Sequence, residues 1–359
     1  MPRLILPIGS PGSPTEARTA LRMAEMRLQG WRTTVYTPGS TLLDAPFRAA
    51  GIDLRHLPLH GPADLASMRT LARHLRGEEP RAAIVAQDYD TAFLALCARK
   101  LARRQDLRVI LVSDQRRPPR TTWLARRIYR NLSALVFTSI YSLALFRMAE
   151  QKTGRVLTSP DRVHVSLHGA GTPPPAADEP KGPVIALYHG ELRPGCGLRH
   201  LIDALPAMRG RRLRLMIAGQ GRSDYMDRLR RRAISRDVMD LISWRRERPS
   251  MAELAATAHF GIFPYHGEEL FGDSNVELMA AGRPQVVTSG HVAREYLGDD
   301  GGAVYIPADA PADAYTSAML RLSTDADLRA RLGADAADAY RRRFDPARLL
   351  ADFAAILEK

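Results

Sequence analysis

Glu268-Glu269-Leu270-Phe271-Gly272-Asp273-Ser274-Asn275-Val276-Glu277-Leu278-Met279-Ala280-Ala281-Gly282-Arg283-Pro284 is the most informative stretch of the chain. It follows an apolar run, Gly261-Ile262-Phe263-Pro264, that reads as a buried strand, and it leads into a helix that Gly282 ends. Strand, loop and helix in that order bring backbone amides to the carboxyl edge of a sheet, where open α/β folds bind ligands. Phe271-Gly272 supplies a tight turn, and a helix starting near Ser274 aims free N–H groups and positive dipole at an anion. Glu269 precedes the turn, and Glu277 follows eight residues later on the helix. Two carboxylates so placed can grip two sets of hydroxyls on one ligand. Without the surrounding pattern, the same spacing describes two solvated acids flanking a helix start.

The rest of the chain repeats the strand–helix rhythm. Leu4-Ile5-Leu6 reads as a first strand, and Ser13-Pro14-Thr15-Glu16 starts a helix with Ser as cap, Pro at the first turn and Glu at the box position. Ala17, Ala20, Leu21, Ala24 and Leu28 continue at helical spacing until Gly30. Residues 33–36, 82–86, 109–112 and 134–137 read as further strands. After a Pro-dense linker over residues 171–183 the pattern restarts, with strands at 184–188, 213–218, 261–264 and 285–287. Alternation of this kind builds a parallel sheet covered on both faces. The expected architecture is α/β: two Rossmann-like domains facing across a cleft, the first over residues 1–175 and the second over 184–340.

Composition narrows the function. A length of 359 residues suits two domains, and 45% apolar with 25% charged residues excludes a disordered or fibrous chain. No apolar run is long enough to span a bilayer, and Met1-Pro2-Arg3-Leu4-Ile5-Leu6-Pro7 is too short and Pro-broken for a signal peptide, so a cytoplasmic chain is expected. Cys97 and Cys196 are expected to be free thiols of a reducing compartment. Lys+Arg 52 against Asp+Glu 39 gives +13, a charge that attracts phosphates or anionic lipid, although abundant Arg and Ala also follow from a GC-rich genome. Between Lys100 and Arg130 ten basic residues face two acids, with Trp123, Leu124 and Ile128 interleaved. That stretch reads either as a peripheral contact with an anionic inner-membrane face or as a solvated helix packed on its own domain. No nucleic-acid recognition motif accompanies the charge. No metal-spaced Cys/His/carboxylate cluster, P-loop or strand-following G-x-G-x-x-G is present, so a required metal, an NTPase and a dehydrogenase are not expected.

Residues 268–284 resemble the GT4 family of retaining glycosyltransferases, which have the GT-B fold. Gly190-Glu191-Leu192-Arg193-Pro194-Gly195-Cys196-Gly197-Leu198 is similar to that family's first loop and helix of the second domain. Ile217-Ala218-Gly219-Gln220-Gly221 is similar to its next strand and turn, and Phe344-Asp345 with residues 349–357 to its closing helix. The resemblance implies that residues 341–359 form a C-terminal helix crossing back to the first domain. It implies a UDP- or GDP-sugar as co-substrate, with no permanently bound cofactor and no metal, and a small-molecule or lipid-linked acceptor on the first domain. Glu269 and the amides of Leu270, Phe271 and Gly272 would hold the donor sugar's hydroxyls and steady its anomeric centre, with Glu269 as a catalytic residue. Glu277 would bind the ribose, Gly9 and Gly12 would lie on the diphosphate side, and Trp244 and Arg245 would face the base.

Departures from the family pattern are specific. A basic pair that binds the diphosphate is replaced here by Glu191 and Cys196, with Arg193 and Arg222 as substitutes. A first-domain His-Asp is Ser113-Asp114, leaving Asp114 as the catalytic candidate that accepts the acceptor's proton or orients it, with Asp88 and Asp90 as alternatives. His168 stands where relatives have Asn, before the linker, and reads as a hinge residue. These departures keep open an alternative, a catalytically silent GT-B-like protein acting as a binding partner or regulator.

Overall fold

The structure, a computed structural model, describes residues 1–8, 29–39, 44, 47–48, 51–59, 61, 64–113, 119–167, 179–245, 250–265 and 272–359. The helix expected to start at Ser13 and most of the Pro-dense linker lie outside the described residues. The chain divides into two compact units, Met1–Gly171 with Pro346–Lys359, and Thr172–Asp345.

Among the described residues the first unit holds seven parallel strands: β1 (Arg3–Pro7), β2 (Arg32–Thr37), β3 (Asp53–His56), β4 (Ala83–Ala86), β5 (Arg108–Ser113), β6 (Ala134–Phe137) and β7 (Val163–Val165). Their order is β3-β2-β1-β4-β5-β6-β7. Between them run α1 (Leu65–Leu75), α2 (Tyr89–Leu101), α3 (Trp123–Asn131) and α4 (Ile140–Thr153). Side chains alternate between two apolar layers. Ile5, Ile84, Val109 and Leu135 pack with α1, α2 and α3, whereas Leu4, Leu6, Val85, Ile110 and Val136 pack on the other face.

That second face is closed from far along the chain. The last helix of the protein (Pro346–Glu358) lays Phe353, Ile356 and Leu357 on it, and Arg108 Nη1 donates to Leu357 O at 2.5 Å. Arg341, Arg342 and Arg343, grouped on sequence with the returning segment, instead complete the preceding helix (Ala326–Arg343) of the second unit. The returning helix starts at Pro346, whose fixed φ suits a first turn.

Among the described residues the second unit holds six parallel strands: β8 (Val184–His189), β9 (Leu213–Ala218), β10 (Ile242–Arg245), β11 (Phe260–Phe263), β12 (Gln285–Thr288) and β13 (Ala303–Ile306). Their order, β10-β9-β8-β11-β12-β13, repeats that of the first sheet. Its helices include α5 (Leu198–Ala204), α6 (Ser223–Ser235), α7 (Met251–Thr257) and α8 (Asp273–Ala280).

A buried histidine ties this unit together beneath its sheet. His259 Nδ1 accepts from the Ile185 N–H at 3.1 Å, so that nitrogen carries no proton. Burial holds the imidazole below its ordinary value of 6.5, against the opposing pull of Glu179, while Arg329 and Arg283 lower it further. The Glu179 carboxyl is itself held low by its ion pair with Arg329. Below pH 6.5 the unfolded chain takes up a proton that folded His259 resists, so this stabilisation falls as pH drops through and below that value. The thermal midpoint is expected to decline between pH 7.5 and 5, with a shallower slope in His259→Gln. Equal slopes in the two proteins would remove this assignment.

Candidate functional site

β8 lies between β9 and β11, and by the right-handed crossover rule the chain leaves β8 and β11 toward opposite faces. The carboxyl ends of these two strands are therefore a topological switch point. Several local features build its walls. Gly197 caps α5 with φ +75°, and a Cβ there would stand 1.4 Å from the Pro264 carbonyl oxygen. The start of α5 thus lies directly on the end of β11. The loops after β8 and β9 are joined as closely: Leu192 N–H donates to Gln220 O at 2.8 Å, and a Cβ on Gly219 would lie 1.9 Å from Gly190 O.

Across the switch point His189, the last residue of β8, sets its Nδ1 2.7 Å from Ser274 Oγ in the first turn of α8. Glu277 follows Ser274 by three positions, so the two share a helix face. Glu277 is half-buried with Oε2 enclosed, while Val276, Leu278 and Met279 enter the core. The Glu277 face is therefore the one turned to the end of β8. Tyr265, just after β11, contacts the Tyr188 ring and stands next to Gly190.

Helix α8 is fixed from behind by two fully buried amides. Asn275 Nδ2 donates to Gln285 Oε1 at 2.8 Å, and Gln285 Nε2 donates to Asn275 O at 2.8 Å. The Gly272 N–H also donates to Asn275 Oδ1 at 3.3 Å. Gln285→Leu would leave the buried Asn275 amide and carbonyl without these partners. It is expected to cost about 1–3 kcal/mol in stability, measured by urea unfolding.

Of the residues singled out on sequence, Gly272 and Glu277 stand at this switch point. Glu269, Leu270, Phe271, Gly9, Gly12, Asp114 and His168 lie outside the described residues. Arg193 is half-buried with Nε 3.5 Å from the exposed Glu191 carboxylate. Arg222 is exposed and pairs with Asp224 at 3.2 Å. Arg245 is exposed at the end of β10, and Trp244 is half-buried with Arg230 of α6 5.7 Å from its ring centroid.

Cys196 is fully buried, with Sγ 3.3 Å from Tyr225 Oη, and burial together with Cys196 holds the Tyr225 phenol neutral. This position therefore belongs to the core. Asp88 caps α2, accepting from Thr91 N at 2.6 Å. Sequence reasoning missed His189, Tyr265 and the Asn275–Gln285 pair. Among the described residues no group of three His, Cys, Asp or Glu is placed to hold a metal ion.

Residues 183–325 match the family described as Glycosyl transferases group 1. HepE from Anabaena, solved in complex with UDP and glucose, is 17% identical with a TM-score of 0.81 over 99% of both chains. A glycosyltransferase from Rickettsia africae is 12% identical, with a TM-score of 0.80 over 99% of this chain and 97% of that one. Sucrose-phosphate synthase from Thermosynechococcus elongatus is 14% identical, with a TM-score of 0.72 over 99% and 98%. No curated protein sequence matches. At these identities the structural likeness is one of fold: the chain has the two Rossmann-like domains of the GT-B class. The family match falls on the second unit, where the GT4-like residues lie.

Proposed function

We propose that the protein is a retaining, GT4-like glycosyltransferase that moves a sugar from a nucleoside-diphosphate sugar to an acceptor hydroxyl. The observation that carries this reading is the family match over residues 183–325, which spans the β8–β11 switch point where Ser274 and Glu277 face His189. UDP is the favoured nucleotide, because HepE is solved with UDP and with UDP-glucose. Glu277 would take the ribose hydroxyls and Glu269 the sugar. The Gly190–Arg193 and Gly219–Arg222 loops would border the diphosphate. Catalysis would rest on groups preorganised around the departing diphosphate. The acceptor would bind the first unit, with Asp114 orienting its hydroxyl.

Calorimetric titration with UDP and GDP tests the donor assignment. Binding of one of them is expected, and product anomeric configuration read by NMR then tests retention. The exposed Glu191 and the buried Cys196 favour one rival, a GT-B protein without activity, because neither supplies a cation for a diphosphate. Failure of both nucleotides to bind would establish that rival.

A membrane contact of the first unit belongs to the same proposal. On α3, Ala125, Ile128 and Tyr129 are buried, whereas Trp123 and Leu124 are 66% and 37% exposed. Exposed Arg120, Arg127 and Arg130 surround them, with the Arg127 guanidinium over the Trp123 ring. No described helix is long and apolar enough to cross a membrane. Sedimentation with phosphatidylglycerol vesicles is expected at low salt and is expected to weaken as salt screens the contact. Trp123→Ala with Arg127→Ala should abolish it.

A further inference from the structure

The arginines bordering the switch point stand against acids. Among the described residues the loop after β8 carries Arg193, whose Nε is 3.5 Å from the Glu191 carboxylate, and the loop after β9 carries Arg222, whose Nε is 3.2 Å from Asp224. Cys196, in the same stretch as Arg193, is a buried thiol. His189 Nδ1 meets a hydroxyl instead, Ser274 Oγ at 2.7 Å. The ring is half-buried at the end of β8, on the opposite side of the strand from the fully buried Tyr188, and faces the first turn of α8. Ser274 is itself buried, which holds its hydroxyl in place. A hydroxyl both donates and accepts. It can donate to Nδ1 of a neutral ring and accept from Nδ1–H of a charged one, so protonation changes the charge at this point without turning the ring.

We infer that His189, oriented by Ser274, is the proton-dependent cation of the donor site, so that a nucleoside-diphosphate sugar is held more tightly when the imidazole is charged. This role rests on the donor reading of the switch point, in which the loop starting at Gly190 borders the diphosphate. Imidazole is the side chain whose ordinary titration falls between about pH 5 and 8. A charge on the residue immediately before Gly190 attracts a diphosphate in a half-buried setting, where screening is weaker than in water. Among the described residues, the titratable and charged groups of the surrounding elements are Glu277 on α8, Glu191 and Arg193 after β8, Arg222 and Asp224 after β9, and Tyr265 after β11. The carboxylates attract a proton to the ring and the guanidiniums repel it. A bound diphosphate adds negative charge to that balance, so donor binding and protonation of the ring reinforce each other. Sugar-nucleotide affinity is thereby regulated by pH.

The test is calorimetric titration of the full-length protein with UDP-glucose and GDP-mannose from pH 5.5 to 8.5. Both phosphates of these probes are esterified and keep their charge over that range. The terminal phosphate of UDP or GDP does not, since its second proton leaves at about pH 6. Affinity of the parent protein for the probe it binds is expected to fall about tenfold or more as pH rises, the loss of one charge-assisted contact. His189→Gln keeps a hydrogen-bonding side chain without the charge, and its affinity is expected to be independent of pH and close to the parent value at pH 8.5. His189→Arg keeps a charge at every pH and is expected to bind more tightly than His189→Gln at pH 8.5. A merely structural histidine would lower the thermal midpoint of both variants and leave parent binding independent of pH. The parent profile is read whether or not either variant folds. The inference is overturned by parent affinity that does not change with pH, by the parent's slope persisting in His189→Gln, or by His189→Arg binding no more tightly than His189→Gln. In each of these cases the donor reading stands. Absence of binding by both probes at every pH ends the donor reading and this inference together.

Discussion

Gly197→Ala is expected to lower the stability of the second unit by about 3 kcal/mol or more and to abolish nucleotide binding. Two costs add. A left-handed backbone disfavours a Cβ by about 1–2 kcal/mol, and forcing extra atoms into a packed site costs about 1–3 kcal/mol. At Gly197 the second cost is severe, since the new carbon would stand 1.4 Å from the Pro264 oxygen and either α5 or the end of β11 must move. Either movement opens the switch point. Gly210 provides the control: its φ is +74° and nothing lies within 4 Å of a Cβ there, so Gly210→Ala carries the backbone cost alone. Urea midpoints should therefore fall in the order parent, Gly210→Ala, Gly197→Ala. Equal losses in the two variants would show that β11 is not packed on α5 as described.

What the sequence revealed and what it concealed divide along burial. Every inner strand was legible, because a strand covered on both faces is dominated by apolar residues, as in Ala83–Ala86 without interruption or Leu213–Ala218 with only Arg214 between its apolar positions. The strands not anticipated are β3, β7, β10 and β13, the four edges of the two sheets. An edge is only partly covered and tolerates sequences such as Asp53-Leu54-Arg55-His56, which carry no apolar signal. The site divides similarly. Gly272 and Glu277 could be singled out because the motif is local, and both stand beside the switch point. His189 and Ser274 are 85 positions apart and meet only through the sheet, so no window of sequence joins them. Cys196 was read as a missing diphosphate cation, and the structure shows a thiol in the core against Tyr225. Its consequence survives in another form. The loop after β8 supplies no lysine there, so the electrostatics of the proposed site depend on Arg193, on His189 and on the amino end of α8.

Glu277→Ala is expected to weaken donor-nucleotide binding by about 10- to 100-fold, the loss of about 1.5–3 kcal/mol from hydrogen bonds to a charged acceptor. The fold should tolerate the change. Glu277 lies mid-helix on the face shared with Ser274 rather than on the core face of Val276, Leu278 and Met279, and alanine is the best helix former. A thermal midpoint close to that of the parent protein would show that the loss is one of recognition. Glu277→Gln should recover part of the affinity, because an amide oxygen still accepts a hydroxyl, more weakly than a carboxylate. Glu269→Ala is expected to differ in kind, lowering kcat with donor affinity largely kept, because a group that steadies the reacting centre acts in the transition state. If Glu277→Ala bound UDP and GDP as tightly as the parent protein, the carboxylate beside the end of β8 would not be holding the nucleotide. The assignment of the switch point as the donor site would then fail, while the two-domain α/β fold would be unaffected.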